Sequence, residues 1–137
     1  MIQKIIDLNQ NQNINEETIL FHDNEMFQYY DEGMTRFVFV NEDKTKVIKI
    51  LKSNNSFDYN KEENDIYQNA QEEIKKEMAE TKLVNGFIEQ EFVLPIKFSN
   101  KDLTIKQMLF AATSRDEVGW DKDGSLKCFD LSEYRKY

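Results

Sequence analysis

Lys49 is the residue of this chain whose surroundings most demand an explanation. It lies in Lys46-Val47-Ile48-Lys49-Ile50-Leu51, with apolar neighbours on both sides. Side chains alternate across a strand, so Val47, Lys49 and Leu51 share one face, and Lys46, Ile48 and Ile50 share the other. Lys46 can reach water from the strand end. An ammonium at Lys49 needs an anion: a carboxylate, a phosphate or both. The carboxylate is expected from Glu63. In the stretch from Asp58 to about Glu80, Ile66, Ala70, Ile74 and Met78 fall at a spacing of four, which is the stripe of an amphipathic helix. Glu63 precedes Ile66 and Tyr67 by three and four residues and so projects along that stripe. Glu62, four before Ile66, could share the role. An inward carboxylate on a helix and an inward lysine on a strand are natural partners; otherwise each snorkels to solvent from the rim of the core.

Other chemistry has thin support. His22, the single histidine, has no partner pattern and reads as an exposed or half-buried side chain rather than a metal ligand. Gly33 alone is a turn residue, since phosphate cradles use two or three glycines. There is no Cys/His metal spacing and no Gly-x-Ser-x-Gly elbow. Trp120 reads as core or interface, because it lacks the basic surround of a base-stacking platform.

The elements that must position Lys49 and Glu63 follow from patterning. Asn15-Glu16-Glu17-Thr18 is expected to cap a short helix through Ile19, Leu20 and Phe21. Strands are expected at Glu25–Tyr30, Phe37–Val40 and Lys46–Leu51. Asp58 or Asn60 caps the long helix, and Glu72 and Lys76 form a surface pair on it. Asn85-Gly86 marks a hairpin or loop. A strand follows within Phe87–Ile96, demoted to an edge or bulge by Pro95. Leu103–Leu109 alternates and reads as a further strand. Val118–Trp120 and Leu126–Phe129 flank a strong hairpin turn. The expected fold is α+β: a five-stranded antiparallel sheet, one long helix packed on it, and a C-terminal β-hairpin.

The chain has 137 residues, enough for one domain with a real core. It is expected to comprise an N-terminal extension (1–24), a sheet-and-helix region (25–109) and a hairpin with its tail (110–137). A formal charge of -8 argues against binding nucleic acid by phosphate neutralisation. It fits a protein that offers acidic surface to a basic partner. A single cysteine, Cys128, fits a reducing compartment. No signal-peptide pattern or membrane-length apolar run is apparent, so a cytoplasmic location is expected, the host cytoplasm if the source is viral.

The order of three strands with a lysine in the third, a helix with an inward glutamate, then two more strands resembles the N-terminal lobe of protein kinases. Val47-Ile48-Lys49 resembles the family's strand-three lysine motif, and Glu63 its helix glutamate. Leu94-Pro95 and Leu103–Met108 resemble strands four and five running into the hinge. Residues 118–130 resemble the hairpin before the metal-binding aspartate, which would be Asp130, with Leu131-Ser132 where Phe-Gly is usual. With Gly33, Arg36, Asn60 and Tyr67, the set is similar to small kinase-like proteins of tailed-phage genomes. It covers roughly residues 25–130. The departures are equally specific. The hairpin register puts Ala112 at the catalytic aspartate and Glu117 at the metal-binding asparagine. Too few residues separate Met108 from Glu117 for a substrate-binding lobe.

The resemblance therefore implies a catalytically inactive, kinase-like protein-interaction module, possessing no catalytic residue and no cofactor, such as a phage protein that binds and inhibits a host protein. An alternative is an acidic mimic of nucleic acid, of the anti-restriction or anti-CRISPR type, that blocks a basic groove on its partner. Residues 58–80 carry eight acidic and three basic side chains, and Glu62, Asp65, Glu72, Glu73, Glu77 and Glu80 are the candidate partner contacts. The remaining alternative is a nucleotide-binding phosphotransferase that uses Mg-ATP at Lys49, Glu63 and Asp130, with Glu117 and Asp130 as weak candidates for the metal.

Overall fold

The structure, a computed structural model, describes residues 14–53 and 55–135; Ile2, Ile5 and Ile6, which have helical spacing, and the tail residue Tyr137 lie outside the described residues. The chain divides into two compact units. One holds the described residues up to Asn64 together with Thr81–Phe92; the other holds Asp65–Glu80 and the described residues from Val93 onward.

The first unit is a curled antiparallel sheet. Its strands are β1 (Ile19–His22), β2 (Glu25–Glu32), β3 (Arg36–Asn41), β4 (Lys46–Leu51), β5 (Thr81–Val84) and β6 (Phe87–Glu91), in the order β1-β2-β3-β4-β6-β5. The expected five strands are thus corrected to six. Ile19–His22 is a strand, because the Asn15–Thr18 segment closes on itself as a turn: Thr18 Oγ1 accepts the Asn15 N–H at 3.0 Å and Asn15 Oδ1 accepts the Glu17 N–H at 2.8 Å. The next two residues, Asp23 and Asn24, have φ of 51° and 63°, the left-handed pair of a tight hairpin turn that short polar side chains tolerate. Asn85 and Gly86, at φ 49° and 91°, make the expected Asn-Gly hairpin between β5 and β6.

The register separates the two faces. Leu20, Phe27, Phe39, Ile48, Ile50 and Phe87 form the core of the inner face. Lys49 pairs with Val38 on one side and Ile88 on the other, so it points outward from the curl, as does Arg36, two residues before Val38. Helix α1 (Tyr59–Asn69) begins here, with Asp58 Oδ1 accepting the Lys61 N–H at 3.0 Å as an N-cap does.

The long helix expected from Asp58 to Glu80 is corrected to α1 plus a single turn, α2 (Glu72–Lys75). No proline or glycine breaks it. Beyond α2 the helix is ended by a competing tertiary partner: the Cys128 N–H donates to the Glu77 carbonyl and the Ala79 N–H to the Cys128 carbonyl, both at 2.8 Å. Backbone that pairs across to Cys128 cannot also close helical hydrogen bonds, and propensity yields to that pairing. Glu72 accordingly faces Lys75 at 3.7 Å in place of the expected pair with Lys76.

In the second unit, β7 (Leu94–Pro95), β8 (Val118–Trp120) and β9 (Leu126–Cys128) form a three-stranded sheet in that order. The β8–β9 hairpin was expected; β7 extends it, with Pro95 on the edge. A Cβ at Gly119 would lie 2.4 Å from the Leu94 carbonyl oxygen, so β8 accepts only glycine there. Asp121 closes the hairpin by accepting the N–H groups of Asp123 and Ser125.

The strand expected at Leu103–Leu109, which carried part of the kinase resemblance, is helix α3 (Ile105–Thr113). Its alternation fits both periods, and a capping box decides: Thr104 Oγ1 accepts the Gln107 N–H and Gln107 Oε1 accepts the Thr104 N–H. Phe110 and Ala111 join Met78, Val118, Cys128 and Leu131 in the core of this unit. Among the described residues, no helix is long and apolar enough to cross a membrane.

Candidate functional site

The outward-facing lysine meets its carboxylate. Lys49 Nζ donates to Glu63 Oε1 at 2.9 Å and to Oε2 at 3.2 Å. Arg36, absent from the expected pair, donates from Nη1 to Glu63 Oε1 at 2.7 Å and to Asn60 Oδ1 at 3.2 Å. Asn60, expected as a cap and as part of the resemblance, donates to the carbonyl oxygens of Lys49 and Gly86, each at 3.1 Å. The cluster therefore ties together β3, β4, the start of α1 and the β5–β6 turn. Lys49, Asn60 and Glu63 are each less than 5% exposed. Two cations converge on one buried carboxylate, an arrangement whose loss of either sign would strand the other. The signal for Arg36 was its parity with Val38, readable once the β3–β4 register is known.

Asp130 and Glu117 belong to the second unit. The Asp130 carboxylate accepts the Ser132 hydroxyl at 2.9 Å, and Leu131–Glu133 form a 3₁₀ turn directly after it. Glu117 is half-buried, its carbonyl accepting the Phe129 N–H at 3.0 Å. The six candidate acidic contacts do not share one helical face, because the helix is interrupted. Glu62 and Asp65 lie on α1, Glu72 and Glu73 on α2, Glu77 in the turn after it and Glu80 beyond that turn. Asp65, Glu72, Glu73 and Glu80 are exposed. The Glu77 carboxylate is taken by the Tyr134 hydroxyl.

Two arrangements carry no mark in the sequence reading. The first is on α3. Ile105, Met108 and Leu109 are 77%, 53% and 51% exposed, and exposed Ala112 continues the series. Positions i, i+3, i+4 and i+7 form one stripe, turned away from the face that buries Phe110 and Ala111. Leu103-Leu109 read as a strand hides this pattern. The charged groups that flank the stripe in sequence and are exposed are Lys97, Lys101, Lys106 and Arg115 against Asp102 and Asp116, with Arg115 Nε 3.4 Å from Glu133 Oε2, a modest basic excess in a chain of net charge -8.

The second arrangement lies at the rim of the inner sheet face. His22 Nε2 stands 3.0 Å from Glu89 Oε2 and 3.3 Å from Asp23 Oδ2. Lys46 Nζ lies 3.9 Å from Glu89 Oε1 and 3.1 Å from Glu25 Oε1. Hydrogen bonds from Asn41 and Lys46 hold the Glu25 carboxyl below its ordinary value, and the bond that Lys46 donates to Glu25 raises Lys46.

No family model, no curated protein and no solved structure matches this chain.

Proposed function

We propose that the chain is a non-catalytic protein-interaction module that docks a partner protein on the outward stripe of α3. The observation that carries this reading is the stripe itself. A helix apolar on two faces belongs with a cover on each. Full burial of a side chain such as Ile, Leu or Met gains about 1.5–3 kcal/mol. Anchors at i, i+3, i+4 and i+7 suit an amphipathic segment laid alongside. The basic residues around the stripe favour a partner with acidic residues flanking its apolar anchors. An anionic bilayer is the poorer match, because a charged plane meets the whole acidic molecule, whereas a peptide meets only the patch within a Debye length.

The kinase-like reading is compatible with this role. Ala112, at the position of the family's catalytic base, has no group to accept a proton, and it stands within the stripe. The Lys49–Glu63 pair then serves to hold α1 to the sheet.

The test is selection of a random-peptide display library on the purified chain, beside an Ile105→Ser/Leu109→Ser variant. Peptides with acidic residues around helically spaced apolar anchors, bound at least tenfold more weakly by the variant, are the expected result. The variant should keep its stability within about 0.5 kcal/mol, as exposed substitutions do, whereas Phe110→Ala on the buried face of the same helix should lose about 3–5 kcal/mol. Failure to enrich any stripe-dependent peptide overturns the reading, as does a self-associated wild type that the variant renders monomeric. A thermal shift with millimolar Mg-ATP that disappears in Lys49→Met would establish the nucleotide-binding alternative instead.

A further inference from the structure

We infer that His22, Asp23 and Glu89 form a binding site for a divalent transition-metal cation of the zinc type. Their donor atoms lie within 4.8 Å of one another. The histidine ring is fixed before any ligand arrives: it stands edge-on to Phe87 with ring centroids 5.0 Å apart and tilted against Phe27 at 6.3 Å. That directs Nε2 at the two carboxylates. A ring nitrogen carries at most one hydrogen, yet two carboxylate oxygens converge on this one, at 3.0 and 3.3 Å. One hydrogen can only be shared between the two in a three-centre bond, whereas a dication at the centre engages both oxygens directly.

The distances fit. Bonds of about 2.0–2.2 Å from a tetrahedral zinc to nitrogen and oxygen set neighbouring ligands about 3.3–3.5 Å apart, so the two separations from His22 Nε2 need to change by only a few tenths of an ångström, and the exposed Asp23 side chain can swing to set its distance from Glu89. One imidazole and two carboxylates suit zinc, cobalt or nickel better than magnesium, which prefers an all-oxygen octahedron. Asp23 is 69% exposed at its side chain, which leaves an entry path and room for water in the fourth position. Counting His22 as neutral, the ion-paired set Asp23, Glu89, Glu25 and Lys46 carries -2, with Lys82 across the strands from Glu89. Lys46 beside Glu89 Oε1 is the opposing charge, and it supplies a sharp test.

The experiment is titration of the purified chain with Zn²⁺ against a chromophoric indicator, followed by Co²⁺ for its visible d–d absorption. One equivalent bound per chain and tetrahedral-intensity bands are expected. His22→Ala should abolish the site, and Glu89→Gln should weaken it at least tenfold. Asp23→Asn should also weaken it at least tenfold while keeping the fold, because asparagine tolerates the left-handed turn at φ 51°. Lys46→Gln should tighten binding, an effect that a merely structural salt bridge would not produce. Absence of saturable binding to the folded wild type overturns the inference. So does stoichiometry or affinity unchanged in Asp23→Asn, which would place the metal elsewhere on the acidic surface.

Discussion

The two polar clusters of the first unit occupy opposite faces of one sheet and have opposite charge balances. On the outer face, Arg36 and Lys49 share the single carboxylate of Glu63, with Asn60 accepting from Arg36 and donating to the Lys49 carbonyl. On the inner rim, Asp23 and Glu89 share the single imidazole of His22. The outer cluster is closed over by α1; the inner one opens to water through Asp23. Burial separates their roles. A sealed charge cluster must be satisfied within the fold and so constrains which elements can meet, whereas an open one can leave a surplus charge to solvent or to a ligand.

The largest expected effect breaks the sealed cluster at its centre. Glu63→Gln removes the charge that both cations need and should lower stability by about 3–5 kcal/mol, read from urea denaturation. Lys49→Met should be milder, at most about 2 kcal/mol, because Arg36 still holds the carboxylate; an equal loss in the two variants would show that Arg36 contributes nothing. At the open rim, Glu89→Gln should change stability by less than about 1 kcal/mol, as partly exposed ion pairs do. A loss as large as that of Glu63→Gln would erase the contrast between the faces.

The smallest effect is in pH. The Glu25 carboxyl sits below its ordinary 4.5 in the folded chain, so its contribution is present above that value and fades as pH falls through the lower folded one. Lys46 is raised above its ordinary 10.5, and its contribution, full below that value, fades as pH rises through the folded one. Glu25→Gln should therefore flatten the acid limb of the melting temperature between about pH 5 and pH 3, with little change near neutrality. Solvent screening keeps this slope shallow.

The buried lysine, its glutamate and the hairpins at Asn85-Gly86 and Val118–Cys128 were legible in sequence because each follows from local spacing. Three things were not. Leu103–Leu109 fits both the two-residue and the helical period, and only the Thr104–Gln107 box distinguishes them, so the strand reading concealed the α3 stripe. The end of helix after Lys75 has no local breaker; it coincides with the pairing of Glu77 and Ala79 to Cys128, far along the chain. The partners of His22 depend on the curl of the sheet, which brings β1 within reach of β6 although three strands lie between them in the order. Periodicity in one strand carries no information about such closure.

The pairing of Glu77 and Ala79 with Cys128 also bears on synthesis. The chain leaves the first unit at Asp65, returns at Thr81 and leaves again after Phe92, so the sheet can be completed once Glu91 has emerged, while the segment that interrupts it still lacks its partner. Cys128 is made 49 residues after Ala79, and at about 5–20 residues per second that is a delay of roughly 2–10 s. During that interval Ile74 and Met78 are without the strand they pack beside, and a nascent chain stalled between Phe92 and Cys128 should be cut by protease within 65–80 while the sheet on either side of it resists.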